Sequence, residues 1–281
     1  MTTLLLLSVA AFFAGFVDSI AGGGGLIQLP ALFVFLPPSI AASVPQVMGI
    51  NKFSSICGTT VATIQYARKV NFRWGILLPV AVCAYCFSLL GARTVSIINP
   101  QLIKPVILVL LAVVAVYTYT RKKAVPSILT SNRDSIRIPA AFGVPRARTF
   151  LRFLGAIIRK YCIPVAVGGA IGFYDGFFGP GTGTFLLIAF VSLFAMDFLN
   201  ASAHAKAVNL ATNIAAVGWF AYTGNIPYQY AVPMAAANVL GAFIGSRMAI
   251  LKGSDFVRKF LLGVVMLLIM RFAYEMAFIQ P

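Results

Sequence analysis

The sequence predicts an all-α polytopic membrane protein built from two repeats. Of its 281 residues, 60% are hydrophobic and only 10% are charged, whereas a soluble domain has about 25% charged residues. A glycine-rich stretch that contains one aspartate also occurs twice, each time inside an apolar region. Glycine costs ~1 kcal/mol and proline ~3 kcal/mol inside a helix, so a helix stops at each stretch. Two matched interrupted segments are typical of a transporter binding site.

The two breaks share one layout. The first covers residues 15–25 and the second covers residues 172–183, and a shift of 157 (175 − 18) places Asp18 on Asp175. Downstream, a shift of 154 (206 − 52) places Lys52 on Lys206. The same shift aligns a polar stripe in each half: Lys52, Ser55 and Thr59 with Lys206, Asn209 and Asn213.

Each half contains about five apolar segments. The two shortest segments of each half flank its break, which predicts either a broken helix or a re-entrant hairpin; both alternatives stay open. The predicted segments of the first half are 4–21, 25–36, 45–66, 75–97 and 103–120, and those of the second half are 162–178, 182–196, 200–222, 228–250 and 256–279.

A basic segment separates the halves. Residues 121–160 carry ten of the 22 lysines and arginines, which predicts a cytoplasmic loop by the positive-inside rule. Its end, 149–160, has apolar residues at helical spacing and predicts either an amphipathic surface helix or an extension of the next span. The expected organisation is a first transmembrane repeat over 1–120, this loop, and a second transmembrane repeat over 161–281.

Charge also predicts the topology. With five segments per half, the basic residues after the third and ninth segments lie on the same side as the loop, and the uncharged 223–227 connection lies opposite. An odd number of segments makes the repeats inverted and puts both termini outside. The net charge of +16 is explained by this loop, so no nucleic-acid partner is expected.

The two lysines are the central candidates for substrate binding. Positions i, i+3 and i+7 share a helix face, so each lysine begins a polar stripe. A lysine within the bilayer normally faces a partner or a water-filled cavity, although its stem can also cover apolar surface as an interfacial anchor. The recurrence in both halves favours cavity-facing cations and an anionic substrate.

The breaks supply further candidates. Backbone N–H groups at a helix N-terminus bind anions, which indicates Gly22, Gly23, Gly24, Gly25, Gly179 and Gly181, with hydroxyl donors from Thr182 and Thr184. Close helix packing through small residues is the alternative. Asp18 and Asp175 have three open roles: pairing with the lysines, accepting backbone donors, or carrying coupled protons.

Other reactive residues predict little chemistry. His204 is the only histidine, so neither a metal site nor a cofactor is expected. Cys83 and Cys86 have redox spacing, but they lie inside an apolar span, where packing is favoured over thiol chemistry. Arg93 and Arg247 are expected to anchor helix ends at the interface.

The paired motifs carry a family resemblance. Residues 15–27, Asn51-Lys52-Phe53, residues 172–183 and residues 206–210 resemble the sulfite exporter TauE/SafE family, also called the TSUP transporters. The resemblance covers nearly the whole chain outside 121–160. It implies a plasma-membrane permease of prokaryotic type, in the inner membrane where there are two, that acts on sulfite, sulfonates or related anions. Gln28 stands where the family leads us to expect a small polar residue.

Together these observations predict a secondary transporter of small sulfur-containing anions that works by alternating access and is not an enzyme. Its expected partners are the anion and membrane lipid; coupling to protons and a homodimer stay open. A passive anion channel is the second reading, and a membrane sulfur-relay or redox protein that uses Cys83 and Cys86 is the third.

Overall fold

The computed structural model describes the backbone of residues 1–97 and 162–278, and within these ranges the regular structure is helical. The predicted segment 103–120, and the basic loop 121–160 with its amphipathic helix, lie outside the described residues. The helices are α1 (Thr2–Ala21), α2 (Gly25–Phe35), α3 (Pro38–Ala41), α4 (Val44–Ala67), α5 (Trp74–Ile97), α6 (Ile163–Phe177), α7 (Thr182–Phe194), α8 (Phe198–Tyr222) and α9 (Tyr228–Phe278).

Each predicted segment in these ranges corresponds to a helix, so the prediction of an all-α membrane protein is confirmed. The last two predicted segments are the two parts of α9, which breaks at Gly253, where φ is 72°. Within the described part of the chain, three helical stretches are long and apolar enough to cross a membrane: Thr2–Ala21, Trp74–Ile97 and Tyr228–Val257. Helices α4 and α8 have 24 and 25 residues, which is also sufficient length, but they carry the polar stripes.

Glycines let two pairs of helices pack closely. On α9, Gly241 and Gly245 lie against the backbone of α1 at Phe12 and Phe16. On α6, Gly168, Gly172 and Gly176 lie against the backbone of α5 at Val80, Ala84 and Ser88. Residue numbers rise together along both contacts, so the paired helices run parallel. Small residues allow this close approach, which is the usual source of helix association in membranes.

The first break is the tip of an antiparallel hairpin. Gly24, just before α2, lies beside Ala14 and Asp18 of α1. Asn238 of α9 donates hydrogen bonds to the carbonyl oxygen of Ala11 and to Oε1 of Gln28, at 3.1 and 3.2 Å. The chain therefore turns back on itself between α1 and α2.

The second break has the same form. The ring of Tyr174, on α6, packs against the ring of Phe185, on α7, with centroids 5.5 Å apart. The Tyr174 hydroxyl donates to the carbonyl oxygen of Pro180 at 2.6 Å. The chain therefore reverses direction at the second break too, and a re-entrant hairpin stays a prediction at both breaks.

The hairpins enter the bundle from opposite ends. The α1–α2 hairpin packs with Val44, Phe220 and Ile226, where α4 begins and α8 ends. The α6–α7 hairpin packs with Tyr66 and Val70, where α4 ends. We call this second end the basic end, because the described residues Arg68, Lys69, Arg73, Lys252 and Lys259 lie on the segments that meet there.

Two contacts hold the basic end together. The backbone N–H of Arg73 donates to Nε2 of His204 at 2.9 Å. Asp197, before α8, accepts a hydrogen bond of 2.8 Å from the hydroxyl of Ser254 on α9. The segments that the topology prediction assigned to one side of the membrane are thus neighbours in space.

Candidate functional site

The tips of the two hairpins touch near the middle of the bundle. Gly22 has φ 79° and lies directly on the backbone of Gly183, so that a Cβ atom at position 22 would collide with it. Thr184 Oγ1 donates to the carbonyl oxygen of Ala21 at 3.2 Å. This contact, which we call the tip junction, brings the two breaks of the sequence together.

Two ion pairs cross between the halves beside the tip junction. Lys52 Nζ lies 2.8 Å from Asp175 Oδ2, and Lys206 Nζ lies 2.7 Å from Asp18 Oδ2. Each lysine therefore pairs with the aspartate of the other half. Of the roles that the sequence left open for the aspartates, the structure shows pairing with a lysine for both and, for Asp18, acceptance of a backbone donor as well.

The two pairs differ in their hydrogen bonds. Lys206 donates a well-formed hydrogen bond to Asp18, and the backbone N–H of Gly24 donates to Asp18 Oδ1 at 3.3 Å. Lys52 instead donates to Oδ1 of Asn213, at 3.3 Å. Its contact with Asp175 is short but lacks hydrogen-bond geometry, and Asp175 Oδ2 accepts no hydrogen bond from any described residue. Among the described residues, Asp175 Oδ2 thus lacks an additional donor like the Gly24 N–H that Asp18 has.

The polar stripes of α4 and α8 face each other. Asn213 Nδ2 donates to Thr59 Oγ1 at 3.3 Å, and Thr59 in turn donates to the carbonyl oxygen of Ser55 at 2.5 Å. Asn213, on α8, therefore links Lys52 to Thr59, which lies on the same helix as Lys52, α4. The polar residues seven positions after the two lysines, Thr59 and Asn213, are thus both part of this network.

A cavity of about 20 Å³ lies between the stripes and the tips. It has room for about one water molecule, so an anion larger than water requires the surrounding groups to move. Nine of the predicted substrate-binding residues line it, together with Asp18 and Asp175. The nine are Gly23, Gly25, Lys52, Ser55, Gly179, Gly181, Thr182, Asn209 and Asn213.

The other four predicted residues lie outside the cavity wall and support it. Lys206 fixes Asp18, Thr59 fixes Asn213, and Gly22 and Gly24 form the tight turn of the first tip. Their contact with substrate stays a prediction, as it does for the nine.

Two lining residues were missed in the sequence. Asn51 is 3% exposed and its Oδ1 has no partner within the described chain. A shift of 154 places Asn51 on an alanine, so the repeat did not indicate this residue. Its position next to Lys52 was the signal that could have found it. Gly183 packs on Gly22, whereas its counterpart after a shift of 157 is Leu26.

The two threonines differ from the expectation of hydroxyl donors facing the site. Thr182 donates to the carbonyl oxygen of Gly179 at 2.8 Å, and Thr184 donates to Ala21. Both hydroxyl protons thus satisfy backbone acceptors that the breaks leave open. Gln28 lies outside the cavity wall and accepts from Asn238.

The remaining candidates have structural contacts. His204 donates from Nδ1 to the carbonyl oxygen of Asn200 at 2.8 Å and accepts from Arg73. Arg93 lies over the ring of Trp219, 5.9 Å from its centroid, and Arg247 is exposed. Cys83 packs against Gly168 as a free thiol. Among the described residues, no group of three His, Cys, Asp or Glu side chains could hold a metal ion.

Comparison with known proteins agrees with this architecture. The family model for the sulfite exporter TauE/SafE matches residues 7–272. A probable membrane transporter protein ORF9 of Sinorhizobium is 33% identical over 95% of this chain and 91% of its own. A probable membrane transporter protein of Haemophilus influenzae is 30% identical over 97% and 95%.

The probable membrane transporter protein YfcA of Escherichia coli K12 is 30% identical over 98% of this chain and 92% of its own. No solved structure matches significantly. The family match and these relatives cover nearly the whole chain, including both breaks and both lysines. The chain therefore belongs to the sulfite exporter TauE/SafE family of membrane transporter proteins.

Proposed function

We propose that the protein is a secondary transporter of small sulfur-containing anions, such as sulfite or organosulfonates, and that the anion binds at Lys52. The observation that carries the proposal is the pair of buried lysines, each held by an aspartate of the other half beside a helix break. Charged side chains within a membrane face partners or substrate pathways. Lys52 is held by its charge contact with Asp175 and a hydrogen bond of 3.3 Å to Asn213, and it is the group that an incoming anion can take over.

The cavity chemistry supports a small oxyanion. Asn51, Ser55, Asn209 and Asn213 surround Lys52 with amide and hydroxyl groups, which donate hydrogen bonds to oxyanions. The glycines of the tips add backbone that a ligand can approach without meeting a side chain. The cavity holds about one water molecule, so the anion enters as the tips or the lysine side chains shift.

Alternating access is our proposed mechanism. We infer that the halves are inverted repeats, because the hairpins enter from opposite ends and the ion pairs cross between halves. Relative movement at the tip junction would open the cavity to one end while the other stays closed. We also propose that the basic end is cytoplasmic, in the plasma membrane of a prokaryote with both termini outside, since basic residues remain on that side.

The test begins with ligand binding by the purified protein. Thermal unfolding is measured with sulfite, thiosulfate, sulfate, methanesulfonate, taurine, sulfoacetate and acetate, since a ligand of the folded state raises the melting temperature. The informative variant combines Lys52→Gln with Asp175→Asn, because it removes the pair without leaving one buried charge alone. Lys69→Gln, at an exposed position of the basic end, is the matched control.

The expected result is that a sulfur oxyanion stabilises the parent and the Lys69 variant but not the double variant. Flux of that anion into liposomes should likewise be retained by the parent and the Lys69 variant and lost in the double variant. The proposal of an anion site at Lys52 fails if the double variant binds and transports like the parent. Accumulation against a gradient separates a transporter from a channel, because a channel cannot concentrate its ion.

A further inference from the structure

The four charges at the site sum to zero. Lys52 and Lys206 contribute two positive charges, and Asp18 and Asp175 contribute two negative charges, all within reach of one small cavity. Three of the four side chains are at most 3% exposed. An anion that enters this cluster alone adds a negative charge that nothing compensates, and a buried uncompensated charge is strongly unfavourable.

A proton that arrives with the anion removes this penalty. We propose that Asp175 binds one proton for each monoanion that binds at Lys52, so that the protein is an electroneutral proton–anion symporter. The cluster then sums to zero both with and without the anion. This inference rests on the proposed function and adds its coupling ion and the residue that carries it.

The contacts select Asp175 over Asp18. Asp18 accepts hydrogen bonds from Lys206 and from the backbone of Gly24, so it keeps one donor even when its lysine moves away. Asp175 is 2% exposed, and its Oδ2 has a charge contact with Lys52 but no hydrogen-bond donor among the described residues. Once an anion takes over Lys52, nothing described here holds the negative charge of Asp175.

The groups around Asp175 agree with this role. Lys52 faces it from α4, and Lys206 and Asp18 lie across the tip junction on α8 and α1. Tyr174 precedes it on α6, and α7 contains no titratable side chain. On α5, Cys83 lies against Gly168, two helical turns away. Among these, only Lys52 contacts the Asp175 carboxylate directly.

The step is a simple proton transfer. A proton from water joins an oxygen of the Asp175 carboxylate and forms an O–H bond, while Lys52 stays an ammonium group and contacts the anion instead. After the site opens to the other side, the anion and the proton leave to the same compartment. The Lys52–Asp175 pair then forms again, and no bond within the anion is made or broken.

Proton counting tests the proposal. Purified protein in weakly buffered solution with a pH indicator receives methanesulfonate, a monoanion that does not itself titrate near neutral pH. The parent should take up one proton per anion bound, and Asp175→Asn should take up none. Asp175→Glu should restore uptake. Asp197→Asn, outside the site, should behave like the parent.

Vesicles give the second measurement. For one-to-one electroneutral symport, each unit of pH difference supports about a tenfold concentration ratio of methanesulfonate at equilibrium. The ratio should not respond to an imposed membrane potential, and Asp175→Asn should equilibrate without accumulation.

The outcomes separate the two proposals. If no anion binds the parent, the proposed function fails. If methanesulfonate or, after correction for its own titration, sulfite binds without proton uptake, the proton coupling alone is overturned. Unchanged proton uptake by Asp175→Asn overturns the assignment to Asp175.

Discussion

The Lys52–Asp175 and Lys206–Asp18 pairs occupy matched positions in the two halves but have different surroundings. Asp18 is 21% exposed and is hydrogen-bonded by its lysine and by the first tip. Asp175 is buried beside Lys52, which also donates to Asn213, and its Oδ2 has no further donor among the described residues. Matched positions in the two halves thus carry the same charged residues. The hydrogen bonds around them are not repeated, and on our proposal these hydrogen bonds decide which lysine can leave its aspartate for an anion.

The largest effect is expected at the contact that joins both pairs. Gly22→Ala would put a methyl group into the backbone of Gly183 at a positive φ, so we expect loss of folded protein or a drop in melting temperature of many degrees. Gly218→Ala is the control, since no described atom lies within 4 Å of its Cβ position. A Gly22→Ala protein as stable as the control would mean that the backbones of the two tips are not in close contact.

Removing the lysine of one ion pair at a time tests whether the two pairs differ in their contribution to stability. Removing one partner of a buried ion pair costs about 3–5 kcal/mol. We expect Lys52→Met to approach this loss in free energy of unfolding, because it leaves Asp175 buried and without a donor. Lys206→Met should cost less, because Asp18 keeps the Gly24 N–H and reaches solvent. Chemical unfolding in detergent measures both, and adding Asp175→Asn should recover stability in the first variant. Equal losses of unfolding free energy in Lys52→Met and Lys206→Met would contradict the difference between the two ion pairs.

A smaller effect is expected at Asn213, which orients Lys52. Asn213→Leu removes the acceptor of Lys52 and the donor to Thr59. Leaving a buried polar group without its partner costs about 1–3 kcal/mol, so stability and anion affinity should both fall. Thr59→Val, its counterpart in the first half, removes the bond to the Ser55 carbonyl oxygen and the acceptor of Asn213, but it leaves the bond from Lys52 to Asn213, so it should change affinity less. The comparison fails if Thr59→Val lowers affinity more.

The smallest effect is expected at the helix caps. Asp197 accepts from the N–H groups of Leu199 and Asn200 at the start of α8, whereas Ser43, its counterpart 154 positions earlier, makes no side-chain cap among the described contacts. Replacing a capping residue by alanine costs about 1 kcal/mol. We expect Asp197→Ala to lower the melting temperature slightly and Ser43→Ala to leave it unchanged.

The cap also has a pH dependence. Partial burial acts to raise the pKa of Asp197, but hydrogen bonds from Asn200, Ser254 and Leu199 hold it below its ordinary value of 3.8. Its stabilisation is therefore present above that value and is lost as pH falls through the lower folded pKa. Melting curves of the parent and Asp197→Ala should converge in acid, and a constant difference would contradict the mechanism.

The sequence predicted the helices well because apolar length and glycine breaks are local signals. It also predicted that lysines, aspartates and breaks matter, since all three recur. It could not decide between a span and a hairpin at each break, because both give the same parity of segments. It could not choose the ion-pair partners either, since a repeat shift shows equivalence and not contact. Asn51 and Gly183 have no matching residue in the other half, so repetition could not reveal them.

The cavity of about 20 Å³ has a consequence for leakage. When no anion is present, each lysine is neutralised by an aspartate and the space between them admits about one water molecule. A continuous water column, along which protons or salt ions would pass, does not fit there. If substrate binds at Lys52 as we propose, the ion pairs would close this path through the bilayer until an anion replaces one of the partners.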